Sequence, residues 1–199
     1  MEWQQPQLSN GYDIISAESL SHNRPLLYKI DGMQKHFVYL ALGSNLGNRL
    51  ENLRSAREAL PPQVQIVACS AIYETPPWGY TDQPAFYNQV LHCQTSLPPH
   101  GLLKYLKTLE KELGRVASFQ NGPRIIDIDI LFYDDLILDT PDLGLPHPRI
   151  EGRAFVWVPF AELAPQFIHP TIGKTATQIL SELDTSQIIK IDTPEEQHC

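Results

Sequence analysis

The sequence predicts an α+β fold, and residues 36–133 supply four of its strands and two of its helices. Three observations carry this prediction. First, a strand pattern over residues 36–42 leads into a helix pattern that ends at Pro61. Second, two strand patterns follow each other, at residues 64–73 and 86–95. Third, a helix pattern over residues 98–113 precedes a strand that runs to Tyr133. The resulting order of strand, helix, strand, strand, helix and strand is typical of α+β domains.

Bulk composition fits one domain and excludes several classes of protein. The chain has 199 residues and is 42% hydrophobic, which is enough for one core. A net charge of -8 argues against a general nucleic-acid surface, so a polyanion would need a local cluster of arginines. No stretch has the apolar length of a membrane span, and no segment has a secretory-signal pattern, so we expect a soluble cytoplasmic protein. Cys69 and Cys93 lie in strand-like apolar runs and are predicted to be reduced core thiols.

The first 47 residues are predicted to contain an extension, a strand and a turn. Residues 1–36 are rich in Gln, Ser, Asn and Pro without apolar periodicity, which indicates a flexible extension, and Met33 is a candidate start of translation. After the strand, Gly43-Ser-Asn-Leu-Gly47 breaks the pattern. Such a turn suits phosphate binding at a helix N-terminus, but a strand-to-helix junction requires the same residues.

The helix that follows the turn is predicted from the apolar spacing of Leu46, Leu50, Leu53 and Leu60. Ser44 or Asn45 is the expected cap, and Pro61-Pro62 ends the helix.

The middle of the chain combines a long loop with a strand that carries an aromatic residue and an amide. Residues 74–84 form a proline-stiffened loop with Trp78, and long ordered loops are commonly functional, although packing of this loop on the core is equally consistent. Phe86 and Asn88 share one face of the third strand, a combination that suits stacking and hydrogen bonding to a flat heterocycle. Cross-strand packing explains the pair equally well.

The second helix leads towards two arginines. Its leucines form a core stripe and Gly114 ends it, while Glu110 lies beside the stripe as either a solvated charge or a site residue. Arg115 and Arg124 flank the loop of residues 116–121. Guanidinium groups pair with phosphate oxygens, so these arginines indicate phosphate binding, with surface ion pairs as the alternative.

The strand at residues 125–133 carries the strongest signal. Alternation places Ile126, Ile128, Ile130 and Phe132 on one face, and Asp127 and Asp129 on the other face with Ile125, Leu131 and Tyr133. Two carboxylates roughly 6–7 Å apart along a strand suit Mg²⁺ bridged by phosphate oxygens. They could instead be salt-bridged on a solvated face, but the flanking isoleucines favour a buried strand, where unpaired carboxylates are costly.

The C-terminal third adds two candidate site residues and one incomplete match to a P-loop motif. His147 stands between two prolines, and Arg153 leads residues 153–159, which are predicted to form a last strand. Gly173-Lys-Thr175 resembles the end of a P-loop motif but lacks its first glycine, because Ile168 occupies that position. A helix is predicted at residues 176–183 and a polar tail at 185–199.

Several motifs together resemble the 6-hydroxymethyl-7,8-dihydropterin pyrophosphokinase family of folate biosynthesis. They are Gly43-Ser-Asn-Leu-Gly47, Tyr73-x-Thr-Pro-Pro77, Gly79-x-x-Asp-Gln-Pro84, Phe86-x-Asn88, Glu110-x-x-x-Gly-Arg115, Gly122-Pro-Arg-x-Ile-Asp-Ile-Asp-Ile-Leu131, Leu145-Pro-His-Pro148 and Arg153-x-Phe155. The resemblance covers residues 37–184. It implies a ferredoxin-like fold, with an antiparallel sheet and helices packed on it, in a monomeric enzyme that binds ATP and two Mg²⁺ ions.

The family's roles are carried over position by position. The resemblance implies transfer of diphosphate from ATP to the pterin hydroxymethyl group with release of AMP. Asp127 and Asp129 would bind the metal ions and, with Arg115 and Arg124, form the catalytic set. The implied ATP-binding residues are Glu110, Arg115, Arg124, Ile130, His147 and Arg153. The implied pterin-binding residues are Thr75, Pro76, Trp78, Phe86, Asn88 and Phe155.

The chain departs from the family pattern in the loop before Gly122. Many members carry Arg and Trp in this loop, whereas this chain has Ala117, Gln120 and Asn121. A non-catalytic member that binds pterin or nucleotide is therefore the alternative function. A nucleic-acid-binding ferredoxin-like module is a further alternative, which the negative net charge disfavours.

Overall fold

The computed structural model describes residues 29–30 and 33–192, so residues 1–28 and 31–32 of the predicted extension, and residues 193–199 of the predicted tail, lie outside the described residues. The strands are β1 (Lys29–Ile30), β2 (Met33–Gln34), β3 (His36–Ser44), β4 (Val64–Cys69), β5 (Ile72–Thr75), β6 (Phe86–Thr95), β7 (Asp127–Tyr133), β8 (Leu138–Asp139), β9 (Gly144–Leu145) and β10 (Ile189–Ile191). The helices are α1 (Arg49–Ala59), α2 (Pro99–Glu112), α3 (Ala154–Leu163) and α4 (Ala176–Leu180).

The main sheet confirms the predicted α+β class. Its strand order is β10-β5-β6-β3-β7, with β4 also paired to β6, and every pairing is antiparallel. One core lies between this sheet and helices α1 and α2, and a second core joins the sheet to α3 and α4. Strand β7, which carries the two aspartates, lies at the end of the order, and its outer edge is hydrogen-bonded by the Lys107 and Glu110 side chains at Ile128 and by the His147 N–H at Leu131.

The cap of α1 differs from the prediction. Ser44 belongs to β3, and Leu46 precedes the helix. Asn48 is the cap, and its side-chain oxygen accepts a hydrogen bond from the Glu51 N–H at 3.3 Å. The prediction of Ser44 or Asn45 as cap was wrong because the turn is longer than a minimal junction.

The predicted strand over residues 64–73 is divided into β4 and β5. Both segments pair with β6, and the break falls at Ser70 and Ala71. Ser70 compensates for the lost pairing: its N–H donates to the Val90 carbonyl at 2.9 Å, and its hydroxyl accepts from the Val90 N–H at 3.0 Å. The two segments therefore stay aligned along one strand.

A bulge in β7 changes the predicted faces. Leu40 pairs with Ile130 but Tyr39 pairs with Phe132, so Leu131 is an additional residue. Ile130 and Tyr133 consequently contribute to the first core, while Leu131 and Phe132 contribute to the second. The prediction that Phe132 shares a face with Ile130, and Tyr133 with the aspartates, was wrong beyond the bulge.

Residues 153–159 were predicted as a strand, but Arg153 is the N-cap of α3 and residues 154–159 belong to that helix. Their aromatic and β-branched residues favour a strand locally. Val156, Trp157 and Phe160 instead pack as one helix face in the second core, and the Trp157 indole N–H donates to the Ile150 carbonyl at 2.9 Å. Tertiary burial outweighs the local preference here.

The C-terminal segment adds an edge strand. Helix α4 ends at Leu180, earlier than predicted, and Ile189–Ile191 pairs with β5 within the segment predicted as a polar tail. No helix in the described part of the chain is both long and apolar enough to cross a bilayer.

The two described cysteines differ in state. Cys69 is disulfide-bonded, so the prediction of a reduced thiol was wrong for this residue. Cys93 is free and fully buried, and burial raises its pKa to about 12.

Candidate active site

Asp127 and Asp129 face one side of β7. Two arginines, one after α2 and one before β7, contact Asp127. The Arg115 guanidinium contacts Asp127 Oδ1, and Arg124 Nη2 lies 2.8 Å from Asp127 Oδ2. Burial alone would raise the pKa of Asp127, but Arg124, Arg115 and Lys107 outweigh it and lower the pKa below its ordinary value. Asp127 is therefore held as a carboxylate.

Asp129 is less constrained. The nearest basic nitrogen atoms among the described residues are Lys107 Nζ at 3.6 Å and His147 Nε2 at 3.9 Å, both beyond hydrogen-bond distance. Its side chain is 30% exposed, compared with 15% for Asp127. Asp129 thus keeps oxygen lone pairs available to a ligand. Burial lowers the pKa of His147, with Asp129 acting in the opposite direction, so this imidazole is mainly neutral.

Glu110 supports the strand from behind. It is only 2% exposed, and Oε1 accepts a hydrogen bond from the Ile128 N–H at 2.6 Å. The same oxygen lies 2.8 Å from Lys107 Nζ and 2.7 Å from Arg115 Nη1. Burial raises the pKa of Glu110, while Lys107 and Arg115 act to lower it. Glu110 is accordingly a buried link between α2 and the outer edge of β7 rather than a solvated helix charge.

Asn45 fixes the segment that leads into β7. Its side-chain oxygen accepts from the Arg124 N–H at 2.8 Å, and its own N–H donates to the Arg124 carbonyl at 3.1 Å. Its Nδ2 donates to Gln83 Oε1 at 2.9 Å and to the Pro84 carbonyl at 3.1 Å. The turn at residues 43–47 therefore joins the long loop to the aspartate strand.

A first cavity of about 760 Å³, including its open mouth, lies over the face of β3 and β6. All six predicted pterin-binding residues line it: Thr75, Pro76, Trp78, Phe86, Asn88 and Phe155. Asn88 Nδ2 donates to Thr75 Oγ1 at 2.7 Å, so its amide orientation is fixed. A Cβ on Gly43 would lie 3.1 Å from Asn88 Oδ1, so a side chain there would crowd this amide. The cavity combines aromatic walls with one oriented amide.

A second cavity, of about 830 Å³ including open space, lies on the other side of the aspartates. Five cationic residues line it, namely Lys107, Arg115, Arg124, Arg149 and Arg153. Among the described residues, Arg149 and Arg153 have no carboxylate within ion-pair distance, and burial followed by repulsion from Arg149 lowers the pKa of Arg153. This cavity has the charge of a polyanion site.

The two cavities share one wall. The residues that line both are Asn121, Arg124, Asp127, Asp129 and Arg153. A reacting group in one cavity can therefore meet a phosphate group in the other at the aspartate pair.

Three predicted nucleotide-binding residues do not line the second cavity. Glu110 and Ile130 are buried and line neither cavity, and His147 lines the first cavity only. Lys107 and Arg149 were missed by the sequence interpretation. Lys107 stands three residues before Glu110, and Arg149 lies four before Arg153, so helical spacing and clustered arginines were the available signals.

Two loops meet above the shared wall. Phe119 is 58% exposed, and its ring contacts the Tyr80 ring edge-on at a centroid distance of 5.1 Å. Gln83 Nε2 donates to the Asn121 carbonyl at 2.8 Å and to the Tyr80 carbonyl at 2.7 Å. The loop that departs from the family pattern is thus tied to the long loop through backbone carbonyls.

The two carboxylates fit a divalent cation whose remaining ligands come from phosphate and water. Within residues 29–30 and 33–192, no group of three or more His, Cys, Asp or Glu side chains could hold a metal ion without further ligands. Mg²⁺ is commonly bound by one or two carboxylates together with substrate phosphates and water. Asp127 and Asp129, adjacent to the cationic cavity, match that arrangement.

Comparison with known proteins gives a consistent result. The family model described as "7,8-dihydro-6-hydroxymethylpterin-pyrophosphokinase (HPPK)" matches residues 39–165. The chain is 44% identical to a 2-amino-4-hydroxy-6-hydroxymethyldihydropteridine pyrophosphokinase of Methylorubrum extorquens, over 78% of this chain and 98% of that protein. It is 41% identical to a folic acid synthesis protein FOL1 of Dictyostelium discoideum, over 86% of this chain but only 26% of that longer protein.

The fold has counterparts among solved structures. A crystal structure of a Plasmodium falciparum HPPK-DHPS triple mutant aligns with a TM-score of 0.64 and 16% identity. The alignment covers 77% of this chain and 44% of the solved chain. At this identity the likeness establishes the fold alone.

Proposed function

The chain belongs to the 7,8-dihydro-6-hydroxymethylpterin-pyrophosphokinase family, and from this premise we propose that it transfers the diphosphate of ATP to 6-hydroxymethyl-7,8-dihydropterin and releases AMP, a step of folate biosynthesis. One observation carries the proposal. An aromatic cavity and a cationic cavity share a wall that contains Asp127, Asp129 and two arginines. A reaction between a flat heterocycle and a polyphosphate requires such a junction.

The first cavity is the proposed pterin site. Phe86 lies on its wall with the Arg124 guanidinium 5.0 Å from the ring centroid, and Trp78 and Phe155 stand with ring centroids 6.3 Å apart near its mouth. Aromatic faces stack on a planar ring system, while the oriented Asn88 amide supplies hydrogen bonds to the ring's polar edge. The hydroxymethyl group would then extend towards the aspartates.

The second cavity is the proposed ATP site. Glu110, Asp127 and Asp129 are balanced by Lys107, Arg115 and Arg124 in close ion pairs or near contacts. Arg149 and Arg153 add positive charge that no described carboxylate neutralises at ion-pair distance. Arg124 Nε is buried without a hydrogen-bond partner among the described residues, while its Nη1 and Nη2 bond the Gly122 carbonyl and Asp127.

Asp127 and Asp129 would hold two Mg²⁺ ions. When bound, these ions neutralise phosphate charge and make the β-phosphorus more electrophilic. The carboxylates can accept a cation because the pKa of Asp127 is lowered and Asp129 has no hydrogen bond to a cation.

The protein's own residues account for alignment of the reactants. Arg115, Arg124 and Arg153 hold the polyphosphate so that the pterin hydroxymethyl oxygen approaches the β-phosphorus in line. The new bond joins that oxygen to the β-phosphorus, and the bond between the β-phosphorus and the oxygen bridging it to the α-phosphate breaks. AMP leaves with this oxygen, and the hydroxyl proton is released. The loops that carry Trp78 and Phe119 exclude water that would otherwise accept the diphosphate.

The same proposal includes the organisation of the chain. We propose a catalytic domain of residues 37–184 that acts as a monomer in the cytoplasm, with residues 1–36 as an extension and residues 185–199 as a C-terminal segment whose strand β10 completes the edge of the sheet. ATP and the pterin are its substrates, and no nucleic acid or membrane partner is part of the proposal.

One assay tests the function directly. AMP should form from ATP only when 6-hydroxymethyl-7,8-dihydropterin and Mg²⁺ are both present. Asp129→Asn is the matched control, because it removes one negative charge without removing a hydrogen bond to a cation. If the chain binds the pterin, as measured by fluorescence titration, but forms no AMP, the non-catalytic alternative is correct and the proposed function is wrong.

A further inference from the structure

Lys107 extends from α2 into the cluster of carboxylates at the edge of β7. Its Nζ donates to Glu110 Oε1 at 2.8 Å and to the Ile128 carbonyl at 3.1 Å. The same atom lies 3.6 Å from Asp129 Oδ1 and 3.9 Å from Asp127 Oδ1. One ammonium group therefore neighbours three carboxylates, including both proposed metal ligands.

The surroundings of Lys107 give its ammonium group two kinds of anion to contact. Its side chain is 38% exposed and lines the second cavity, where Arg115, Arg149 and Arg153 also lie. Lysine has a compact charge on a flexible four-carbon stem, so a rotation of the stem can move Nζ from the carboxylates towards a phosphate oxygen. Arg115, by contrast, is fixed by contacts with both Glu110 and Asp127.

An ammonium group and a divalent cation repel each other, so both cannot closely contact Asp127 Oδ1 and Asp129 Oδ1 at once. We propose that Lys107 is an exchangeable counter-ion of the Asp127–Asp129 pair, which competes with Mg²⁺ for the carboxylates when the nucleotide is not bound and contacts nucleotide phosphate when it is. This inference rests on the proposed function. It assigns to Lys107 the coupling between metal binding and ATP binding.

The inference has a consequence that a purely structural lysine does not share. Removing the positive charge should tighten divalent-cation binding in the absence of nucleotide, because a competitor is lost. It should weaken nucleotide binding, because a phosphate contact is lost. A lysine that only braces α2 against β7 would, on removal, disturb the aspartates and weaken both.

The test uses Lys107→Gln with Lys107→Arg as the matched control. The glutamine amide keeps N–H groups for Glu110 and the Ile128 carbonyl but removes the charge, whereas arginine keeps the charge. Mn²⁺ binding is measured by electron paramagnetic resonance without nucleotide, and binding of α,β-methylene-ATP is measured by calorimetry at saturating Mg²⁺. In Lys107→Gln we expect the Mn²⁺ dissociation constant to fall about tenfold and that of the analogue to rise about tenfold, the factor that corresponds to about 1.4 kcal/mol.

The inference is supported if the two dissociation constants shift in opposite directions in Lys107→Gln. In Lys107→Arg both constants should stay within about twofold of those of the unmodified protein. Unchanged or weaker Mn²⁺ binding in Lys107→Gln overturns the competition, and unchanged analogue binding overturns the phosphate contact. Lys107→Met provides the same charge removal if circular dichroism shows that the glutamine variant is unfolded. The Mn²⁺ comparison needs neither pterin nor turnover, so its failure is distinct from a lack of AMP formation by the unmodified chain.

Discussion

Asp127→Asn and Asp129→Asn should affect stability differently although both should abolish turnover. Each substitution keeps the size of the side chain and removes one negative charge from the proposed metal site. Asp127 is enclosed by Arg115 and Arg124, whereas Asp129 has no cation within hydrogen-bond distance. We therefore expect a clearly larger loss of folding free energy in the first variant.

The size of the stability loss follows from the contacts. A hydrogen bond to a charged group contributes about 1.5–3 kcal/mol, and an Asn at position 127 keeps one acceptor oxygen, so the expected loss is about one such bond. For a chain of this size each 1 kcal/mol lowers the melting temperature by about 2–4 °C, which gives a fall of about 3–12 °C. Asp129 makes only weak, partly exposed ionic contacts, and its replacement should cost about 0–1 kcal/mol.

Urea unfolding and thermal melts in the absence of Mg²⁺ measure the stability difference, and AMP formation at saturating Mg²⁺ measures turnover. Asp135→Asn, at an exposed position after β7, is the control for removal of a negative charge. Equal losses of stability at positions 127 and 129 would contradict the ion-pair argument. Near wild-type AMP formation in either folded variant would contradict the metal assignment.

Three further predictions address the nucleotide side and the pH dependence of folding. Gln120→Arg should lower the ATP KM or raise kcat, because a well-placed cation contributes about 1.5–3 kcal/mol to phosphate binding; unchanged kinetics would mean that the existing arginines suffice. Arg149→Gln should raise the ATP KM about two- to fivefold with kcat retained, the range for one exposed charge contact, and a large loss of kcat would assign Arg149 to the reaction itself. Burial lowers the pKa of His169, so the folded state favours the neutral ring; stability should hold above about pH 6.5 and fall as the pH drops below it. Urea titrations at about pH 7 and about pH 5 should show a smaller fall in His169→Leu, and an equal fall would exclude this residue as a cause.

The aspartate pair was predictable because its geometry is local. Two side chains two residues apart on a strand share a face whatever the rest of the fold does. The bulge at Leu131 was not predictable, because it arises from pairing between β7 and β3, which are far apart in the sequence. The strand pattern was therefore correct as far as Ile130 and wrong for Phe132.

The role of Glu110 in α2 and the helical state of α3 depend on burial, which the sequence pattern does not show. Glu110 lies beside the apolar stripe of α2. The pattern alone does not show that the Ile128 N–H points away from the sheet and donates to this carboxylate. Helical spacing places Lys107 beside Glu110, but its contact with the Ile128 carbonyl follows only from the position of this edge of β7. In α3, the residues Val156, Trp157 and Phe160 suit a strand locally, and only the second core explains why they form a helix.

Asn45→Ala tests whether the turn at residues 43–47 acts through structure or through phosphate contact. Asn45 is 2% exposed, and its removal leaves the Arg124 N–H without its 2.8 Å acceptor, which should cost about 1–3 kcal/mol. Because Arg124 belongs to the wall shared by both cavities, its displacement should also lower kcat/KM at least about tenfold. Asn48→Ala, at the cap of α1, is the control: it should cost about 0.5–2 kcal/mol with little effect on kcat/KM. If Asn45→Ala keeps full stability in urea but binds ATP more weakly, the turn contacts phosphate directly and the structural explanation is wrong.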